Sequence, residues 1–318
     1  MNRMRKVLLG LMAFTAACQS SDPGKATTIV RTETTKDAEE LPKDKPTRLV
    51  RATDRNVKSY GELKRQGKTQ QMQAVHDAIA DTVDRNFDTF RQVAFESDTI
   101  IVRNMATKCM AFAIKKRREA RDTLLVLLRE RDQTLVANAV LGLGILLDKE
   151  TDITPIITLL GSGSVNVRIN AAAALAGLFR VKKTPRVLTP QYHSAIDRLV
   201  TMLHDAASTR SRRAAAWALA NLRHTKTFAH LVSALNDEDE QVQLGGLRGL
   251  EVLGDQRGIE PLLRFLEGAP TPEASSWTVL ALKAIVVQAG LADAKAEMDG
   301  LEASPRRWRA YLRNARMK

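Results

Sequence analysis

The sequence predicts an all-α chain, an α-solenoid of about six helix pairs, on three observations. First, one pattern recurs. In residues 162–179, SGSVNVRINAAAALAGLF, Ser162, Gly163 and Ser164 turn the chain, and Val167, Ala171, Leu175 and Leu178 then repeat at helical steps of four, four and three. Nine-residue windows like Val167–Leu175 begin at Val102, Val136, Val167, Ser211, Val242 and Ala274, so the starts are 34, 31, 44, 31 and 32 residues apart. A period in the thirties to forties marks stacked repeats, each burying its apolar face on its neighbours. Second, an apolar segment precedes most windows: 123–128, 153–160, 195–203, 228–235 and 259–266. Each unit therefore reads helix, turn, helix. Third, no run alternates apolar and polar residues long enough for a sheet, and aromatics are only 4% of a chain whose apolar content is mostly alanine and leucine.

Taken in order, residues 1–18, MNRMRKVLLGLMAFTAAC, have a basic start and a short apolar stretch from Val7 to Ala17. That stretch is about half the roughly twenty residues needed to span a bilayer. Thr15-Ala16-Ala17-Cys18 resembles the lipobox of bacterial lipoproteins. The resemblance implies cleavage before Cys18 and diacylation of that cysteine, and two acyl chains anchor stably where one does not. Gln19, by the same resemblance, points to the outer membrane. The alternative is an ordinary signal peptide cut near Ala17, with Cys18 incidental. Residues 19–68 read as a disordered tether, rich in Ser, Thr, Asp, Glu, Lys and Pro, with nine basic and seven acidic residues from 19 to 60. Residues 69–303 are assigned to the solenoid. Met72, Val75, Ile79, Val83, Phe87, Phe90 and Ala94 line one helical face, as an N-terminal cap requires.

Helices follow near 98–114 and 117–130, with a basic corner at Lys115, Lys116, Arg117, Arg118 and Arg121. Cys109 lies beside Met110 and Phe112, as a buried free thiol would. The 44-residue interval contains an insertion at 181–193, VKKTPRVLTPQYH. Insertions in solenoids project as loops, often on the binding face, so Lys182, Lys183, Arg186 and Tyr192 are candidate partner contacts. Gly245, Gly246 and Gly249 inside a helix imply close approach of a neighbouring helix. At the C-terminus, Ser304 and Pro305 open a basic amphipathic helix over 304–318. Trp308, Tyr311, Leu312 and Ala315 share one face; Arg306, Arg307, Arg309, Arg313, Arg316 and Lys318 supply charge. Such a helix serves as a cap for the last repeat, a contact for an anionic surface, or both.

The repeats resemble the HEAT family in its short bacterial form. GIEPLLRFL at 258–266 and FAHLVSALNDEDEQVQLGGLRGLEVLGD at 228–255 carry the likeness, which extends over roughly 85–290. It implies architecture and says little of chemistry. It also implies that an arginine after the first window position pairs with a turn aspartate of a neighbouring repeat. Arg103, Arg168 and Arg212 hold that position; Ala137, Gln243 and Ser275 do not. The other role open to Arg168, Arg212 and neighbouring Arg213 is a basic stripe for partners.

The formal net charge is +13, and loss of residues 1–17 leaves +10. That favours anionic partners: acidic proteins, anionic lipid or polysaccharide, or nucleic acid. Export argues against nucleic acid. The five histidines show no metal spacing, and there is no GxSxG, P-loop or Rossmann fingerprint, so no metal, cofactor or catalytic residue is expected. Some HEAT-like proteins are phycobilin lyases, but an exported lipoprotein is in the wrong compartment for pigment chemistry. The expectation is a non-catalytic, membrane-anchored scaffold lipoprotein facing the periplasm and binding proteins with acidic surfaces. Binding of anionic lipid or polysaccharide is the alternative.

Overall fold

The computed structural model describes residues 44–147, 151–181, 188–291, 298 and 300–315. Every regular element among them is helical. The chain divides into two units, Met1–Ala174 and Leu175–Lys318.

In the first unit α1 spans Lys45–Arg65, α2 Thr69–Arg85, α3 Phe87–Glu96, α4 Ile100–Met110, α5 Arg117–Leu127, α6 Gln133–Leu146 and α7 Thr154–Leu159. Helix α8, Val165–Val181, begins here and runs into the second unit. Residues 45–65, expected to be part of a disordered tether over 19–68, instead form α1; residues 19–43 lie outside the described residues. Helix α1 packs on α2 and α4. Asp44 caps it, accepting hydrogen bonds from the Thr47 backbone N–H and hydroxyl, both at 2.8 Å. Its buried face is Thr47, Val50, Thr53, Asp54 and Tyr60, at helical spacing but mostly polar. That polarity is what hid it from an apolar-periodicity reading. The buried Asp54 carboxylate meets Lys108 Nζ at 2.7 Å and Lys58 Nζ at 3.1 Å. Cys109, beside Lys108, is fully buried, and burial, helped by the Asp54 charge, pushes its thiol pKa far up. The expected cap over 69–95 is two helices, α2 and α3, broken at Asn86. The basic corner is held from beneath: Asp84 accepts the backbone N–H groups of Lys115 at 2.8 Å and Lys116 at 3.0 Å.

In the second unit α9 spans Pro190–Leu203, α10 Thr209–Leu222, α11 Phe228–Ala234, α12 Glu240–Leu253, α13 Ile259–Glu267, α14 Pro272–Gln288 and α15 Pro305–Ala315. Helices α10, α12 and α14, which carry the sequence windows, stack on one another in order, and α9, α11 and α13 each pair with the window helix that follows. The glycines of α12 are its contact points. A Cβ on Gly246 would lie 2.7 Å from the Leu231 carbonyl oxygen, and one on Gly249 would collide with the Leu231 side chain. Alanine is the better helix former by about 1 kcal/mol. A fixed backbone oxygen cannot move aside, however, so overpacking dominates. Gly246→Ala is expected to destabilise the second unit by about 2 kcal/mol, measured by urea unfolding.

The window helices α10 and α12 end alike. Gly254 closes α12 in the left-handed region at φ 62°, and Arg223 closes α10 there at φ 55°. For glycine this is free; for arginine it costs roughly 1 kcal/mol.

Candidate interaction surface

In the first unit the second turns of α4, α6 and α8 place Asn104, Asn138 and Asn170 at successive repeats, all half-buried. Asn138 Nδ2 donates to Asn104 Oδ1 at 2.8 Å, and Asn170 Nδ2 donates to the Ala137 carbonyl at 2.8 Å. A carboxamide has two donors and two lone-pair positions. Each of the three thus keeps hydrogen-bonding capacity beyond the bonds that align the row. The neighbouring position braces the turns instead. Arg103 donates to the Ala94 carbonyl at 2.7 Å and pairs with Glu130 at 3.1 Å. Arg168 donates to the Ser162 and Gly163 carbonyls at 2.8 and 3.3 Å.

In the second unit Arg212 is 7% exposed and faces inward. Its fork grips Asp237 at 2.9 and 3.2 Å, and Glu238 at 3.0 Å. Those hydrogen bonds, Asp237 first, hold its pKa above the usual arginine value. Arg213 pairs with Asp239 at 2.5 Å. The Arg213 bond and charge, with backbone N–H groups, outweigh burial and hold the Asp239 carboxyl below its usual pKa. Asp239 also caps α12. Both arginines thus tie α10 to the turn before α12.

The loop candidates separate. Lys182, Lys183 and Arg186 lie outside the described residues, as does Cys18. Tyr192 is not in a loop. Pro190 starts α9 rather than breaking it, because a first-turn proline lacks only an N–H that has no intrahelical partner. Tyr192 is 4% exposed, its ring 5.7 Å from Phe179, which removes it as a surface contact. On α15, Arg309 bridges Glu260 and Glu267, each at 2.9 Å. Arg307 donates to the Gly300 carbonyl at 3.0 Å. Arg306 is exposed.

The asparagine row was absent from the sequence-based candidates, which apart from Tyr192 are all basic. Its signal was present: Asn104, Asn138 and Asn170 fall in three consecutive windows, 34 and 32 residues apart. Among the described residues, no three His, Cys, Asp or Glu side chains gather as metal ligands. A shallow groove of about 430 Å³ between α5 and α7 is lined by Leu125, Val126, Pro155 and Leu159, with only Arg129 and Asp152 charged. It offers no converging acid–base pair.

The HEAT-repeat family model matches residues 196–283. No curated protein matches the chain. Among solved structures, the chain is similar in fold to the Escherichia coli protein YibA, at 16% identity and TM-score 0.49, over 88% of this chain and 99% of that one. A computationally designed armadillo repeat protein for modular peptide recognition aligns at 20% identity and TM-score 0.47, over 61% of this chain and 98% of the other. The CpcE–CpcF complex of phycocyanin lyase from Nostoc aligns at 18% identity and TM-score 0.35, over 72% and 94%.

Proposed function

We propose that this chain, a HEAT-repeat protein whose family match spans residues 196–283, works without catalysis as a protein-binding scaffold held at a bacterial membrane by a lipid on Cys18. The row Asn104, Asn138 and Asn170 carries the reading. Packed helices lie about 9 Å apart, and an extended peptide advances about 3.3 Å per residue. A row of amides on successive helices thus meets a peptide about every third residue, with donor and acceptor both available for its main chain. Arg309, engaged with Glu260 and Glu267, is poorly placed to contact lipid or polysaccharide, so protein is the preferred partner. Support for the anchor is the basic start, the short apolar stretch and Thr15-Ala16-Ala17-Cys18. Among the described residues no helix is long and apolar enough to cross a membrane.

Crosslinking in native envelopes, followed by mass spectrometry, tests the reading. Asn104→Ala with Asn138→Ala is expected to reduce capture of the main partner about thirtyfold, each lost hydrogen bond contributing on the order of 1 kcal/mol. The helical circular dichroism should not change. Undiminished capture rejects the asparagine row. The lipid anchor is tested separately by Cys18→Ser, which is expected to release the protein from the membrane fraction.

A further inference from the structure

Two of the chain's three tryptophans keep part of their surface in water, both on window helices of the second unit. Trp217 on α10 and Trp277 on α14 are half-buried, as is Arg248 on α12, the helix stacked between those two. Trp217, Arg248 and Leu280 stand 31 and 32 residues apart, the repeat interval, so they share one register. Contacts bring the group together. Gly245 lets α12 close on α10 beside Trp217: a Cβ there would lie 2.7 Å from that of Ala216 and 3.4 Å from the Trp217 backbone nitrogen. Arg248 stacks on the Trp277 ring, 5.9 Å from its centre, and pairs with Glu251. Leu280, one turn beyond Trp277, is 45% exposed.

A second observation points to a ligand. The Trp217 indole N–H is enclosed and has no acceptor among the described residues. An enclosed donor without an acceptor destabilises the free protein. The ring as a whole is only half-buried, so a small rotation toward a ligand carbonyl removes that penalty. Charges nearby are compensated. Arg213 pairs with Asp239 and Arg248 with Glu251, while Glu273 and Lys283 flank Trp277 and Leu280 with opposite signs. A neutral aromatic surface with a donor to offer fits an uncharged segment rich in carbonyls. Spacing narrows the class further. Packed helices lie about 9 Å apart, and a polyproline II helix repeats every three residues, about 9 Å. Such a segment turns the same face to each successive helix. A β-strand, with its period of two, turns opposite faces at a three-residue step. Polyproline II also has no internal hydrogen bonds, so every carbonyl is available.

We propose that Trp217, Trp277 and Leu280, with Arg248 holding the Trp277 ring in place, form a docking surface for a proline-rich, uncharged segment of a protein partner. Proline rings pack on the indole faces and on Leu280, and a main-chain carbonyl accepts from Trp217 Nε1. The assignment rests on the protein-binding reading above and names the class of segment that the second unit takes.

The test uses the purified full chain and fluorescein-labelled decaproline, with binding read by anisotropy. Labelled octaglutamate and a labelled glycine–serine peptide of equal length to decaproline are the comparison probes. Decaproline is expected to bind about tenfold more tightly than either, being uncharged and already ordered. Leu280→Gln alters an exposed side chain without disturbing the fold and is expected to weaken decaproline binding about fivefold. Trp217→Phe removes the N–H and keeps an aromatic ring; it is expected to weaken binding about fivefold as well. Leu280→Gln keeps the test decisive should Trp217→Phe loosen the helix. Val126→Gln, at another exposed apolar position, in the first unit, should leave binding unchanged. No loss in Leu280→Gln, an equal loss in Val126→Gln, or octaglutamate bound more tightly than decaproline and released by Leu280→Gln overturns the assignment. Decaproline unbound by the wild type, with capture lost in the Asn104/Asn138 variant, rejects this surface alone. Decaproline bound by the wild type and released by Leu280→Gln, with no partner captured in envelopes, rejects the scaffold reading alone.

Discussion

Replacing Trp308 with alanine is expected to cost about 4 kcal/mol and to loosen the C-terminal end of the second unit before anything else. Trp308 heads the largest fully buried side chains, at 0% exposure, and its indole N–H donates to the Glu302 carbonyl at 2.9 Å. Helix α15 packs on α13, and Trp308 is its largest buried side chain. Removal leaves a cavity beneath α15 and takes the indole donor away from the Glu302 carbonyl, which lies ahead of the helix. In stacked repeats each unit is stabilised by its neighbours, so the loss should spread as fraying. Hydrogen exchange should show protection falling across α13 and α14 while α4 to α6, in the first unit, keep theirs. Arg309→Gln is the useful contrast. Its bonds hold the Glu260 carboxyl below its usual pKa, but the partners are about half exposed. Exposed pairs contribute little, so exchange in α13 should barely change. Equal fraying in both variants would mean that charge, not the buried indole, holds the cap.

Sequence alone conveyed the parts of the fold that depend on apolar spacing. The windows at Val102, Val136, Val167, Ser211, Val242 and Ala274 each fall in a helix that packs in a repeat. The glycines at 245, 246 and 249 announced close contact because glycine in a helix is otherwise unfavourable. Helix α1 stayed hidden because its inner face is Thr47, Thr53 and Asp54, whose burial is offset by partners such as Lys108, 54 residues away for Asp54. No local pattern reveals such a partner. Tyr192 was misplaced for a different reason: the lengthened interval reads as a projecting loop, whereas Pro190 stands where a proline starts a helix. Among the interaction residues, net charge drew attention to arginines that the fold uses internally. The asparagines carry no charge and were passed over, although their interval equals the repeat.

Arg212→Ala is expected to destabilise the second unit by about 3 kcal/mol. The guanidinium is almost fully enclosed, with its side chain 8% exposed and the Asp237 side chain 13% exposed. Once the arginine is gone, Asp237 keeps the Asp239 backbone N–H at 2.9 Å but faces a nearly dry site without a counter-charge. The larger part of the loss is that stranded carboxylate, so Arg212→Ala with Asp237→Asn should recover a substantial share of it. Arg212→Lys should fall between, because a lysine supplies charge without the fork that spans Asp237 and Glu238. Urea unfolding of the three variants measures this, and a double variant no more stable than Arg212→Ala would place the energy elsewhere. The same series separates structure from recognition. Partner capture by Arg212→Ala should fall only as the unfolded fraction rises, and return when the temperature is lowered. Capture by the Asn104/Asn138 variant should fall at a melting temperature that has not moved, because a half-buried amide can be removed without stranding a charge.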